Sequence, residues 1–290
     1  MPRDIDPILL AVGIGATAAV VMTVIYIATR PLELATETHA LASGSHDTSE
    51  NTAQKSHSSV SSSEPSQNEV YNAIASGNVP GFLRDWKPVP VSLPGNSSIT
   101  GTLFVSPDYL GIGSDAGYLR TPMYPGTAQR LADELGFMLP TKRIVEAIEA
   151  VATPIPFHSH TPTQTMGRNS RAMWELQNSQ IQSDIGGRAG ELVAGHKKDI
   201  VIGKVVANNP GKVIIFGGKY ADGTRVQSQS AAHNMTYEDY SHGVRMIRPD
   251  MIVTENGVGR GMLVRDVLAD PRLAGLVSGE GATSAWRYPT

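Results

Sequence analysis

The sequence predicts an α+β fold, on three observations. Helical spacing dominates the middle of the chain, short β-prone runs joined by Gly and Asn/Asp turns dominate the part that follows, and no βαβ unit repeats. Two segments of different character precede this domain. The full expectation is an N-terminal transmembrane helix over 1–30, a disordered Ser-rich tether over 31–69 and one globular domain over 70–290, with helices first and a β-rich C-terminal half.

From Ile8 to Ala28 the chain carries no charge and scarcely a polar group. At about 1.5 Å per residue such a helix spans roughly 30 Å, the thickness of a bilayer's apolar core. The nearest small-x-small cleavage pattern, at 40–42, lies far beyond it, which favours an uncut signal anchor. Arg3 precedes the run and Arg30 follows it, so the positive-inside count tips toward an inside N-terminus and a main domain outside the cytoplasm, periplasmic or at the cell surface. Gly15 and Ala19 make a small-xxx-small pair through which two such helices could form a homodimer. Residues 31–69 are rich in Ser, Thr, Asn, Gln and acids, and cannot bury enough surface to offset their ordering entropy.

Within the domain, the stretch 86–115 reads as loops and short strands punctuated by Pro and Gly. A helix is expected over 125–137 with Thr127 as N-cap. Thr141 caps a second helix in which Ile144, Ile148 and Val151 recur at helical spacing, and a third covers 170–185, ending at Gly186-Gly187. "DIVIGKVV" and "VIIFGGKY" read as a hairpin, with the 221–223 turn leading into a further strand. "MIVTENG" gives one more strand, and "GMLVRDVLADPRLAGLV" one or two short helices.

The charge balance is −3, with 24 Lys and Arg against 27 Asp and Glu and no basic run, which argues against nonspecific nucleic-acid binding. With no cysteine, disulfides, thiolate metal sites and cysteine catalysis are excluded.

Chemistry concentrates in "YEDYSHGVRMI", residues 237–247, directly after the β region. Three arrangements fit its residue types. In one, His233, Asp239 and His242 bind a metal such as zinc, leaving a fourth position for an activated water; His158, His160 and His196 are alternative ligands. In another, Ser241 is a nucleophile with His233 as its base, oriented by Asp239 or Asp199. In the last, the segment binds a ligand: Arg245 clasps a carboxylate, Lys197 attracts an anion, and Tyr237 and Tyr240 supply flat faces with a polar tip.

"SHGVRM" resembles the "SHGCxRM" signature of L,D-transpeptidases, which cross-link peptidoglycan stem peptides, with His233 in the place of that family's earlier histidine. The resemblance implies that His233 and His242 are site residues, Ser241 and Gly243 shape a turn and Arg245 faces substrate. The family's nucleophilic cysteine is missing between Gly243 and Val244, so transpeptidation itself is excluded. A longer pattern, "DYLGIGSD", "GHKKDIV" and "YSHGVR" across 108–247, resembles exported or membrane-anchored bacterial proteins and implies an extracytoplasmic location. The functional expectation is a membrane-tethered cell-envelope hydrolase acting on peptidoglycan or related peptide and amide bonds, by metal-activated water or His-assisted attack. A noncatalytic wall-binding module and a structural, virion-associated membrane protein are the alternatives.

Overall fold

Ser66 opens the part of the protein described here by a computed structural model, residues 66–290. The expected membrane span and the tether up to residue 65 lie outside the described residues, among which no helix is long and apolar enough to cross a membrane. Helix α1, Gln67–Ala75, has a capping box in which Ser66 accepts from the Glu69 amide and the Glu69 carboxylate accepts from the Ser66 amide, and it buries Val70 and Ile74 one turn apart.

Four strands then precede the next helix, so the expected order of helices first and strands afterwards is corrected. Strand β1, Lys87–Leu93, and β2, Asn96–Val105, form an antiparallel hairpin closed at Pro94-Gly95. Val89 faces Leu103 across the pair, and both are fully buried. Two far C-terminal strands, β11 (Asp250–Glu255) and β12 (Val258–Leu263), complete this sheet in the order β1-β2-β11-β12. The expected helical reading of "GML" fails because these residues pair with Asp250–Ile252 across the Asn256-Gly257 turn; α6 begins only at Val264 and runs to Ala269. The small hairpin of β3, Gly111–Ser114, and β4, Gly117–Arg120, follows β2 and leads into the helices.

Helix α2 spans Pro125–Leu135. Its N-cap is Tyr124 rather than Thr127, because Pro125 takes the first helical position, where its missing N–H costs nothing. Helix α3, Lys142–Val151, is capped by Thr141 as expected, and α4, Arg171–Ile185, runs from the Ser170 cap to left-handed Gly186. Short β5 (Thr153–Pro154) pairs in parallel with β6 (Val193–Ala194).

The second four-stranded sheet has the order β10-β7-β8-β9. Here β7 is Lys198–Ile200, β8 Ile215–Lys219, β9 Arg225–Ser230 and β10 His242–Gly243. β7 and β8 pair antiparallel as expected, but α5, Lys204–Asn208, occupies the connection in place of a plain turn. β10 runs parallel to β7, and its chain continues extended through Ile247, where Val244 O accepts from the Leu110 amide and Met246 O from the Ser106 amide. The motif segment thereby bridges the second sheet and the end of β2, inside the main apolar cluster.

Candidate functional site

Every residue from Glu238 to Ile247 is buried, so charged side chains in this run need partners inside the protein. Arg245 finds them in distant segments and Asp239 within the motif itself. Arg245 donates to the carbonyls of Ser106 at 3.0 Å and Val193 at 2.7 Å, and its guanidinium lies 4.1 Å from the Tyr109 ring centroid. The Tyr109 hydroxyl in turn donates to Asp199 Oδ2 at 2.8 Å. Burial raises Asp199 to about 7 against the opposing pull of Arg245 and the Tyr109 bond.

Beside this lies a second closed group. Asp108, almost fully buried, accepts from Arg120 Nη2 at 2.5 Å, from the Tyr118 hydroxyl at 3.0 Å and from its own neighbour's amide, Tyr109, at 2.6 Å. His196 Nε2 lies 3.0 Å from the same carboxylate. Burial works against the charge of Asp108, but Arg120 and His196 outweigh it and hold the carboxyl well below its usual range. Helix α4 turns Gln177 and Asn178 into this region: Asn178 accepts from Arg120 Nη1 at 2.9 Å, and Gln177 Oε1 accepts from the Lys197 ammonium at 2.6 Å. Lys197 also donates to Tyr240 O at 2.5 Å, and its burial, with Arg120 nearby, lowers it to about 7.

The motif itself is folded over Asp239. The Ser241 amide donates to Asp239 Oδ1 at 2.8 Å, the Ser241 hydroxyl donates to the same oxygen, and the Tyr237 hydroxyl donates to Oδ2 at 2.9 Å. Burial opposes the charge of Asp239, yet His242, the Ser241 donors and Lys198 hold it at about 2. His242 is 1% exposed, and burial lowers it to about 4, so it is neutral at pH 7. Neither of its ring nitrogens has a hydrogen-bond partner among the described residues. The Tyr237 ring meets the His242 ring edge-on at 5.7 Å and stacks on that of exposed His233 at 3.8 Å.

Three of the residues predicted from sequence, Ser241, Lys197 and Arg245, are engaged by protein partners. Ser241 gives its hydroxyl to Asp239, not to a histidine. Lys197 and Arg245, expected to meet an anionic ligand, point into the core and are bonded to neutral protein oxygens. Tyr240 is buried, its hydroxyl accepting from the His160 amide at 2.8 Å. The zinc ligand sets do not gather. Tyr237 contacts both His233 and His242, His158 pairs with Asp184 at 2.5 Å, and His196 is held by Asp108. No group of three His, Asp or Glu side chains that could hold a metal ion is present among the described residues.

Asp108, Arg120, Gln177 and Asn178 were not singled out by sequence reasoning. For Asp108 and Arg120 the one signal is a charged residue among apolar neighbours, as in "SPDYLG" and "GYLR"; Gln177 and Asn178 stand in the polar stretch "ELQNSQIQSD" and carry no such signal. With these positions in view, comparison with known proteins adds no relative: no protein-family model, curated protein or solved structure matches the chain.

Proposed function

We propose that this chain is a membrane-tethered, extracytoplasmic protein whose globular domain is a noncatalytic cell-wall-binding module, recognising peptide or amide groups of peptidoglycan. One observation carries this reading over the hydrolytic one: Ser241, Lys197 and Arg245, the groups best suited to attack or to polarise a substrate, are buried and already engaged by protein partners. Next to the motif, exposed His233 stacks on half-buried Tyr237, giving a flat surface suited to contact rather than turnover. The membrane-tethered placement rests on the apolar run 8–28 and the polar tether that follows it.

A hydrolytic reading is favoured by a different observation, the two unpartnered nitrogens of His242 beside ionised Asp239. Both groups are shifted downward, so at neutral pH a neutral imidazole stands beside a carboxylate, the protonation state a general base needs.

The full-length chain in detergent, mixed with insoluble peptidoglycan, separates the two. The expected result is co-sedimentation with the wall and no release of soluble fragments, with binding lost in the His233→Ala, Tyr237→Ala double variant. Fragment release abolished by His242→Ala would replace binding with hydrolysis, and neither binding nor release would point to a structural role. His242→Leu adds a control: a buried imidazole without partners contributes little to folding, so this variant is expected to melt at or above the wild-type temperature.

A further inference from the structure

Strand β12 is an outer strand of the first sheet, and its free edge is bare. Sheets ordinarily blunt such an edge with proline, lysine or a covering segment, because open N–H and C=O groups recruit another strand. The opposite edge follows that rule, since β1 carries Pro88 and Pro90. β12 carries Gly259 and Gly261 instead. The register fixes where their backbone points. The Val264 amide donates to Pro249 O at 2.8 Å, so residues 258, 260 and 262 turn their polar groups toward β11, and Gly259 and Gly261 turn theirs away from the sheet. Neither glycine has a positive φ, and a Cβ on Gly261 would meet nothing within 4 Å. No turn and no close approach inside the chain calls for glycine at 261.

Two further features stand at the ends of this edge. At its start Val258 is 73% exposed, the most exposed large hydrophobic among the described residues. At its end lies an apolar pocket of about 260 Å³, lined by Leu263, Pro249, Phe137, Met138 and Trp286 with Asp133 and Arg265 beside them. A two-fold axis at Gly261 matches these features to one another. With two copies of β12 antiparallel about that point, Gly261 faces Gly261, Gly259 faces Leu263, and each Val258 comes opposite Val264, next to the other copy's pocket. Charge selects this axis. Arg260 then faces Met262, whereas an axis one residue earlier would set Arg260 against Arg260. Two six-residue strands bury too little surface to hold a dimer of free domains. Chains anchored in one membrane meet at a far higher effective concentration, which makes a small contact sufficient.

We propose that β12 is a homodimerisation edge, pairing antiparallel with β12 of a second copy about Gly261. This goes beyond wall binding and takes only the membrane tether from that reading.

The chain has no cysteine, so single-cysteine variants report on the edge without background. The full chain, reconstituted in lipid vesicles, is oxidised with copper phenanthroline and run on non-reducing gels. Gly261→Cys is expected to give a disulfide-linked dimer, because hydrogen-bonded cross-strand residues have Cα atoms about 5.5 Å apart, within disulfide reach. Gly259→Cys should stay monomeric, since its two copies stand four residues out of register, roughly 14 Å apart at about 3.4 Å per residue. Adding Gly259→Pro to Gly261→Cys should abolish the cross-link and leave the melting temperature near wild type, because the Gly259 N–H bonds nothing within the sheet. No cross-link at 261, equal cross-linking at 259 and 261, or a cross-link that survives Gly259→Pro overturns the dimer. Co-sedimentation with insoluble wall is measured on the same variants. A missing cross-link with wall binding weakened by Gly259→Pro gives the edge to a wall peptide, and a missing cross-link with wall binding intact removes the dimer alone.

Discussion

A Cβ built on Gly243 would lie 2.6 Å from Tyr109 Cδ1 and 2.9 Å from Lys197 Cβ, closer than real side chains approach. The glycine after His242 is therefore required by packing, because it lets the Tyr109 ring and the Lys197 stem close over β10. Gly243→Ala is expected to cost about 1–3 kcal/mol, the usual penalty of overpacking, seen as a lowered melting temperature. Asp199 makes a different prediction. Its folded pKa is raised by burial to about 7 from the ordinary aspartate value of about 3.9, so the folded state prefers the protonated acid. The stability this gives is fully present below the unfolded pKa and is lost as pH rises to about 7. Asp199→Asn keeps an acceptor for the Tyr109 hydroxyl and never ionises. Its advantage over wild type in thermal melts should grow between about pH 4 and 7 and stay constant above, and a flat difference would rule out a buried, titrating Asp199. At this scale the sequence revealed which residues cluster but not where they point. His242, Gly243 and Arg245 sit in a run covered on both sides, and their partners lie at Ser106, Tyr109 and Val193, separations that no spacing rule encodes. Asp108 with Arg120 forms the most exacting of these pairings. Arg120→Leu leaves a buried carboxylate with His196 as its nearest basic group and is expected to cost about 3–5 kcal/mol in denaturant unfolding.

Elements with local punctuation were legible. Thr141 and Ser170 begin helices and Gly186 ends one because cap chemistry acts within a few residues. Thr141 does more than cap. Its hydroxyl accepts from the Ile144 amide at 3.2 Å and donates to Val277 O, pinning α3 to the segment after α6. Thr141→Ala should destabilise by about 1–2 kcal/mol in denaturant unfolding, and Thr141→Asp, whose carboxylate still accepts from the Ile144 amide but has no proton for Val277 O, would show how much the second bond supplies. Where the expectation failed, a longer-range preference had won. Gly261–Leu263 reads as the start of a helix, yet the type of turn that Asn256 and Gly257 adopt, both with positive φ, folds Val258–Leu263 back on β11. Likewise α5 forms inside a hairpin connection because Val206 from its single turn and a half reaches the core.

The whole molecule is held by strands from its two ends. β2 pairs with β11, joining Thr102 to Ile252 and Gly101 to Val253, so the first sheet exists only when both ends are present. A chain truncated after Pro249 is expected to lose its cooperative thermal transition by circular dichroism, since the cut removes two of the four strands of the first sheet and Tyr288, whose hydroxyl donates to Val201 O at 2.7 Å just after β7. This pairing of ends was invisible in the sequence, where the runs at 87–105 and 250–263 read as unrelated short strands. It bears on how the protein is made. Some 145 residues separate Val105 from Asp250, and a ribosome adding about 5–20 residues per second needs roughly 7–30 s to supply them. Throughout that interval the nascent chain holds a finished β1-β2 hairpin whose β2 edge is open, and the domain cannot close until β11 has been made.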